Sequence, residues 1–358
     1  MERKLNFKNQ EGFSLIEMVV ALGVMIILTA GIVSLMKGSM NISTANYELT
    51  DAQQSLRTAQ EYINRDLMNA GDGLKAMSVI RVPQTFASNY ITLTPIVDTD
   101  MPTGVINIGI LSSDNQVPAG TVVVGANPST TILSTPTLTD RQTILEVDSQ
   151  FIAIPPATIN TGGTLVTLPS GTDMTQFRVN EILYFSSTIG GTFVTLTAIN
   201  AGTRQLTFAA GDTYGLNNSI SLNLKAISSS GTLPTSMTRM RMIHYYVNAS
   251  GYLMRRVFGA KCLPSPATCA GFSENVVAEH VVNVQFNYSL DMTDSSGNVV
   301  QPTGALTTKS ERLGIRSVEV TVIVETPHAL QSGSRSQLSM TTSTSVRNMQ
   351  FRKAQQPT

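Results

Sequence analysis

Charge is scarce in this sequence. Of 358 residues only 13% are Asp, Glu, Lys or Arg, and 24 basic residues balance 24 acidic ones. That balance argues against the broad basic surface on which nucleic-acid phosphates bind, so no nucleic-acid partner is expected. Histidine is as sparse: His244, His280 and His328 are scattered, and His244 sits in an aromatic run where packing or an interface accounts for it. No H-E-x-x-H, G-x-S-x-G, P-loop or dinucleotide fingerprint occurs, so no catalytic residue and no cofactor is nominated. Cysteine is limited to Cys262 and Cys269, around the loop CLPSPATC. The spacing is not the redox C-x-x-C, and no zinc site is expected without further ligands close by. Proline is missing until Pro83, so nothing forces a break in a helix before it.

What the chain does have, within residues 12–36, GFSLIEMVVALGVMIILTAGIVSLM, is a long apolar run that opens at Phe13 directly after Gly12 and holds one carboxylate, Glu17. A charge at the centre of a membrane helix costs about 2.5–3.5 kcal/mol on insertion scales, which makes such a residue a functional hypothesis by default. If the chain is cut after Gly12, Phe13 gains a free α-amine at the helix tip, and Glu17 can pair with that amine on a neighbouring copy. A secretory signal has a shorter apolar core with its cleavage site after it. A plain signal anchor explains the length, but neither the glutamate nor the glycine.

Gly12-Phe13-Ser14-Leu15-Ile16-Glu17 resembles the cleavage and methylation motif of type IV prepilins and type II secretion pseudopilins. The resemblance implies removal of leader 1–12 by a prepilin peptidase, N-methylation of Phe13, and assembly through the first helix with Glu17 as the pairing residue. It also implies contact with the inner membrane and a pilus assembly platform. Arg3, Lys4 and Lys8 precede the run, and basic flanks stay cytoplasmic, which places the globular part in the periplasm before assembly. A disulfide between Cys262 and Cys269 is expected in that oxidising setting, worth about 2–3 kcal/mol; free thiols are the alternative.

Beyond the membrane segment (13–36), Ile42, Ala45, Leu49, Ala52, Leu56, Ala59 and Ile63 recur at steps of three and four, the mark of an amphipathic helix over 37–70. Gly71-Asp72-Gly73 is its natural stop, closing a helical region 13–75. Gly23 and Gly31 weaken the helix by about 1 kcal/mol each relative to alanine, either to allow close packing or local melting, or as small residues common in any membrane helix. The remainder is rich in Thr, Ser, Gly, Val and Ile in short alternating runs, the composition of an all-β region. The reading is an α+β fold: the long helix packed on an antiparallel sheet domain made from 76–149 and 227–350, a small all-β barrel or sandwich inserted at 150–226, and a tail at 351–358. Strands are expected at 90–97, 104–111, 121–125, 142–147, 181–186, 192–199, 204–208, 220–226, 240–247, 252–258, 276–290, 315–325 and 337–346.

HYYVNASGYLMRRV (His244–Val257) reads as a hairpin, succeeded by the strand IRSVEVTVIVET and by SVRNMQF near the end. With the N-terminal motif, this order resembles PilW-type minor pilins, which are related to J-type minor pseudopilins. That resemblance implies a minor subunit acting with other minor pilins and the major pilin in a priming complex at the pilus tip. The alternatives are a secretion pseudopilin, or a tip adhesin or DNA-binding module on a pilin anchor. Arg239, Arg241, Arg255, Arg256 and Lys261, interleaved with aromatics, read as a solvated hairpin face, with single-stranded DNA contact as the alternative. Asp291, Asp294, Gly297 and Asn298 depart from calcium-loop spacing and read as a hairpin turn, so no metal is assigned.

Overall fold

The computed structural model describes residues 12–74, 80–92, 102–117, 138–219 except 189, 224–227, 236–259 except 249, 271–293, 308–329 and 334–346, with 234, 296, 299–301, 306 and 348. Residues 1–11 of the leader, the expected strand 121–125, Lys261, both cysteines, Asp294, Gly297, Asn298 and the tail 351–358 lie outside the described residues.

Helix α1 spans Leu15–Met68, 54 residues without interruption, about 81 Å at 1.5 Å per residue. It ends where Gly71 takes a left-handed backbone, φ 74°, and the Gly71 N–H bonds to the Leu145 carbonyl at 2.8 Å. After α1 the chain runs β1 (Ile80–Pro83), α2 (Gln84–Tyr90), β2 (Val105–Asn107), β3 (Leu111–Val117) and β4 (Thr139–Val147). Then come β5 (Thr158–Ile159), β6 (Leu165–Thr167), β7 (Ile182–Ser187), β8 (Gly190–Thr195), β9 (Ala198–Asn200), β10 (Gln205–Thr207) and the short α3 (Leu224–Ile227). The last part holds β11 (Ser236–Val247), β12 (Leu253–Phe258), β13 (Phe272–Ala278), β14 (Val281–Leu290), α4 (Lys309–Leu313), β15 (Ile315–Glu325) and β16 (Gln337–Ser345). A long apolar helix on a mostly β domain with antiparallel sheets is the α+β layout expected.

Three sheets form. The largest has nine strands, β13-β12-β11-β7-β8-β1-β2, with β4 joining β3 to β11. β11 is its spine, pairing with β12 over Met242–Val247, with β4 over Met240–Tyr245 and with β7 over Ser236–Arg239. A four-stranded sheet, β5-β6-β10-β9, and a three-stranded sheet, β14-β15-β16, complete the set. Residues 150–226 thus feed two sheets: β5, β6, β9 and β10 pair among themselves, while β7 and β8 lie in the largest sheet. Both faces of β7 are buried. Ile182 and Tyr184 pack with Phe193, Tyr214 and Phe258, whereas Leu183 and Phe185 pack with Phe177, Val194 and Phe208. Gly191 permits this close packing, because a Cβ there would meet the Tyr184 ring at 2.4 Å.

Several local expectations give way. Tyr90 closes a helix instead of opening a strand; Phe86, Ala87 and Tyr90 turn one buried face inward, the spacing of a helix. Residues 224–227 form a helical turn, not a strand end. The single strand expected over 276–290 is two strands, because His280 adopts φ 54° and turns the chain from the largest sheet into the three-stranded one.

Candidate assembly site on the N-terminal helix

α1 begins at Ser14, whose extended backbone (φ −67°, ψ 142°) caps the helix. The Ser14 N–H donates to Glu17 Oε2 at 3.1 Å. Glu17 therefore satisfies one of the backbone donors that a helix start leaves open, and negative charge is favoured there by the helix dipole. Gly12 and Phe13 precede the cap, Phe13 with 87% of its surface exposed. Behind them, Met18–Met36 contains no charged residue and Lys37 ends the run. Nineteen residues rise about 28 Å, close to the roughly 30 Å hydrocarbon core of a bilayer. Among the described residues α1 is the one helix long and apolar enough to cross a membrane.

Leu22, Met25, Ile26 and Leu28 are all more than half exposed. Beyond the adjacent residues and the helix's own local backbone, no atom lies within 4 Å of where a Cβ would stand on Gly23, Gly31 or Gly38. Polar groups here are satisfied within the helix: Thr29 and Thr44 donate to the carbonyls of Met25 (2.7 Å) and Met40 (3.0 Å). Such a surface suits lipid or other apolar helices, with one carboxylate at its tip.

The second half of α1 is built differently. Ala52, Leu56, Ala59, Ile63 and Leu67 are buried against the valines of β15 and the aromatics of β11 and β14. Ile42 is 61% exposed, because the globular domain first meets the helix near Glu48, whose Oε1 pairs with His328 Nδ1 at 2.9 Å. Polar side chains tie the interface. Gln60 Nε2 donates to the carbonyls of Val320 (3.1 Å) and Met340 (2.9 Å), and Asn64 Oδ1 accepts from Thr344 at 2.7 Å. Asp66 Oδ2 accepts from Tyr245 OH at 2.6 Å and from Arg255 Nε at 2.5 Å. Nearby, Glu146 pairs with Arg241 at 3.2 Å. Burial pushes its carboxyl up to about 7, opposed by Arg241 and assisted by Asp66. Sequence reading passes over Glu48, Gln60, Asn64 and Asp66; the signal is polar residues on or beside the apolar stripe.

The arginine-rich hairpin is not a solvated face. Arg239 pairs with Asp148 (3.1 Å) and Glu181 (3.3 Å), Arg241 with Glu146, Arg255 with Asp66, and Arg256 with Glu274 at 2.6 Å. Arg239 and Arg255 are buried as well. Each guanidinium is already neutralised inside the protein. His244 is fully enclosed, with Nδ1 at 2.9 Å from Thr143 Oγ1, and burial holds its pKa well below the usual histidine range.

Comparison with curated proteins and with solved structures returns no match. The family model described as the prokaryotic N-terminal methylation motif matches residues 7–33, a span holding Gly12, Phe13 and Glu17 and most of the exposed apolar segment of α1. The chain therefore carries a type IV prepilin-like methylation motif on a membrane-length helix, which supports a pilin- or pseudopilin-type protein processed by prepilin peptidase and anchored in the membrane.

Proposed function

We propose that this chain is a minor type IV pilin that takes part in initiating pilus assembly, in a priming complex at the filament tip with other minor pilins and the major pilin. Prepilin peptidase cuts between Gly12 and Phe13, Phe13 is N-methylated, and Glu17 pairs with the α-amine of an adjoining subunit. Methylation leaves the amine charged, so the pair survives it. The observation behind the reading is Glu17 itself, the one charge within a membrane-length apolar helix, four residues after Phe13. In the free chain the carboxylate is held by the Ser14 amide, so it keeps a hydrogen-bond donor in lipid until an amine arrives. The domain behind α1 is bulky for the repeating unit of a tightly packed shaft, and it fits at an end. Cys262 and Cys269 form the local disulfide.

Mass spectrometry of the mature protein tests processing: a methylated Phe13 is expected, and retention of Met1 overturns the reading. Deletion of the gene, or Glu17→Ala, is expected to abolish or sharply reduce surface pili while the major pilin is still made. Normal piliation with a secretion defect would transfer the protein to the pseudopilins, whose motif is the same.

A further inference from the structure

Every sheet must end somewhere, and an exposed strand edge is a template for another chain unless it is blunted. This protein blunts most of its edges. β2, β5 and β9 have only two or three residues each. β13 carries Glu274, held by Arg256, and its pairing with β12 is broken by a register shift at Leu253/Met254. The outer edge of β14 is covered by β4, where Asp140 Oδ2 accepts the Phe286 N–H at 2.9 Å. β3 carries Asp114 and breaks register with β4 at Asp114/Val117. Among the described strands β16 is the exception: nine residues, QLSMTTSTS, without charge, proline or bulge, in unbroken register with β15.

The phase of its ladder is set by two bonds, Thr326 N–H to the Ser336 carbonyl (2.9 Å) and Val346 N–H to the Arg316 carbonyl (3.2 Å). In an antiparallel pair such positions alternate, so Leu338, Met340, Thr342 and Thr344 direct their backbone groups to β15. Gln337, Ser339, Thr341 and Ser343 direct theirs outward, where no described residue bonds to them.

We propose that β16 is a docking edge for an extended, weakly charged segment of a different polypeptide, which adds to the three-stranded sheet as a fourth strand. The direction of α1 argues against a second copy. Gln60 bonds at Met340 and Asn64 at Thr344, so α1 and β16 run the same way. An antiparallel β16–β16 pair has its two-fold axis normal to the sheet, which reverses one α1 and sends the two membrane segments in opposite directions. A parallel pair has its axis along the strand, which puts the two helices on opposite faces of the joined sheet, away from each other. Neither arrangement suits subunits whose helices lie side by side in one membrane. A strand from a chain outside that helical packing meets neither obstacle, and its backbone supplies the binding energy, as in strand addition generally.

The inference rests on the pilin reading only in treating α1 as the assembly helix; the state of Phe13 tests that reading separately. The experiment places a photo-reactive residue at Gln337, Ser339, Thr341 or Ser343 of the full chain in the cells that make it, with Glu319 on the sheet face as control. The expected result is cross-linking to one other polypeptide, with the attachment site moving two residues along one segment for each two-residue step on β16. Ser343→Pro should cut the cross-linked product at least tenfold without changing the unfolding midpoint, because an outward N–H contributes nothing to the β15 ladder. Should that variant misfold, Ser343→Lys serves the same purpose. Attachment to a second copy of this chain, equal yield from Glu319, or sites without the two-residue progression would overturn the proposal.

Discussion

The two halves of α1 invert the usual relation between polarity and burial. From Leu15 to Met36 the helix is apolar and exposed; from Glu48 to Leu67 it buries Glu48, Gln60 and Asp66 among alanines and leucines. Exposed apolar surface on this scale marks a partner or a membrane, whereas buried polar groups must be matched inside the same chain. One element thus carries two surfaces, an outward apolar one that suits a membrane or a partner and an inward one packed on the β domain.

Breaking each half separately tests this division. The largest effect is expected from Glu17→Ala, which should eliminate assembled filaments while leaving the denaturant midpoint of the full chain in detergent micelles unchanged, since Glu17 is exposed and bonds to no described residue of the domain. Asp66→Ala should do the reverse of that uncoupling. It leaves Arg255 and Tyr245 without their shared acceptor, at a cost of about 3–5 kcal/mol in the same denaturation experiment.

Glu146 sharpens the comparison through pH. Its folded pKa of about 7 lies above its ordinary 4.5, so the folded state binds the proton more tightly than the unfolded one. Stability is then lost as pH rises from about 4.5 to 7, by about 3 kcal/mol when the shift is converted at 1.36 kcal/mol per unit. Glu146→Gln, which mimics the protonated group, should melt at nearly the same temperature at pH 6 and pH 8, where the parent protein melts lower at pH 8. Gln60→Ala, removing donors to two carbonyls, should cost about 1–3 kcal/mol. The smallest effect belongs to His328→Ala: His328 is 80% exposed, and exposed pairs contribute about 0–1 kcal/mol.

How much of this can be read from residues alone differs between the halves. The outward half is legible: a glycine, a phenylalanine and a glutamate opening an apolar run are local signals that need no partner. The stripe Ala52, Leu56, Ala59, Ile63 is legible too, because helical period is local. Its start is not, since Ile42 belongs to the pattern but lies beyond the reach of the domain. The arginines of β11 and β12 read as solvated in the sequence, because the acids that neutralise them, Asp66, Glu146, Asp148, Glu181 and Glu274, come from α1, β4, the loop after it, the residue before β7, and β13. His280, which splits one apparent strand into two, gives no sequence sign of its left-handed backbone.

The amino-acid order alone determined the long helix, its membrane-length apolar segment, the carboxylate at its tip and the β character of the remaining chain, because each depends on neighbours within a few positions. Only the tertiary structure decided which polar residues of α1 hold the domain, which arginines are spent inside, and which strand edge is left without a pairing strand among the described residues. Those outcomes depend on contacts between residues up to 282 positions apart, and no local pattern records them.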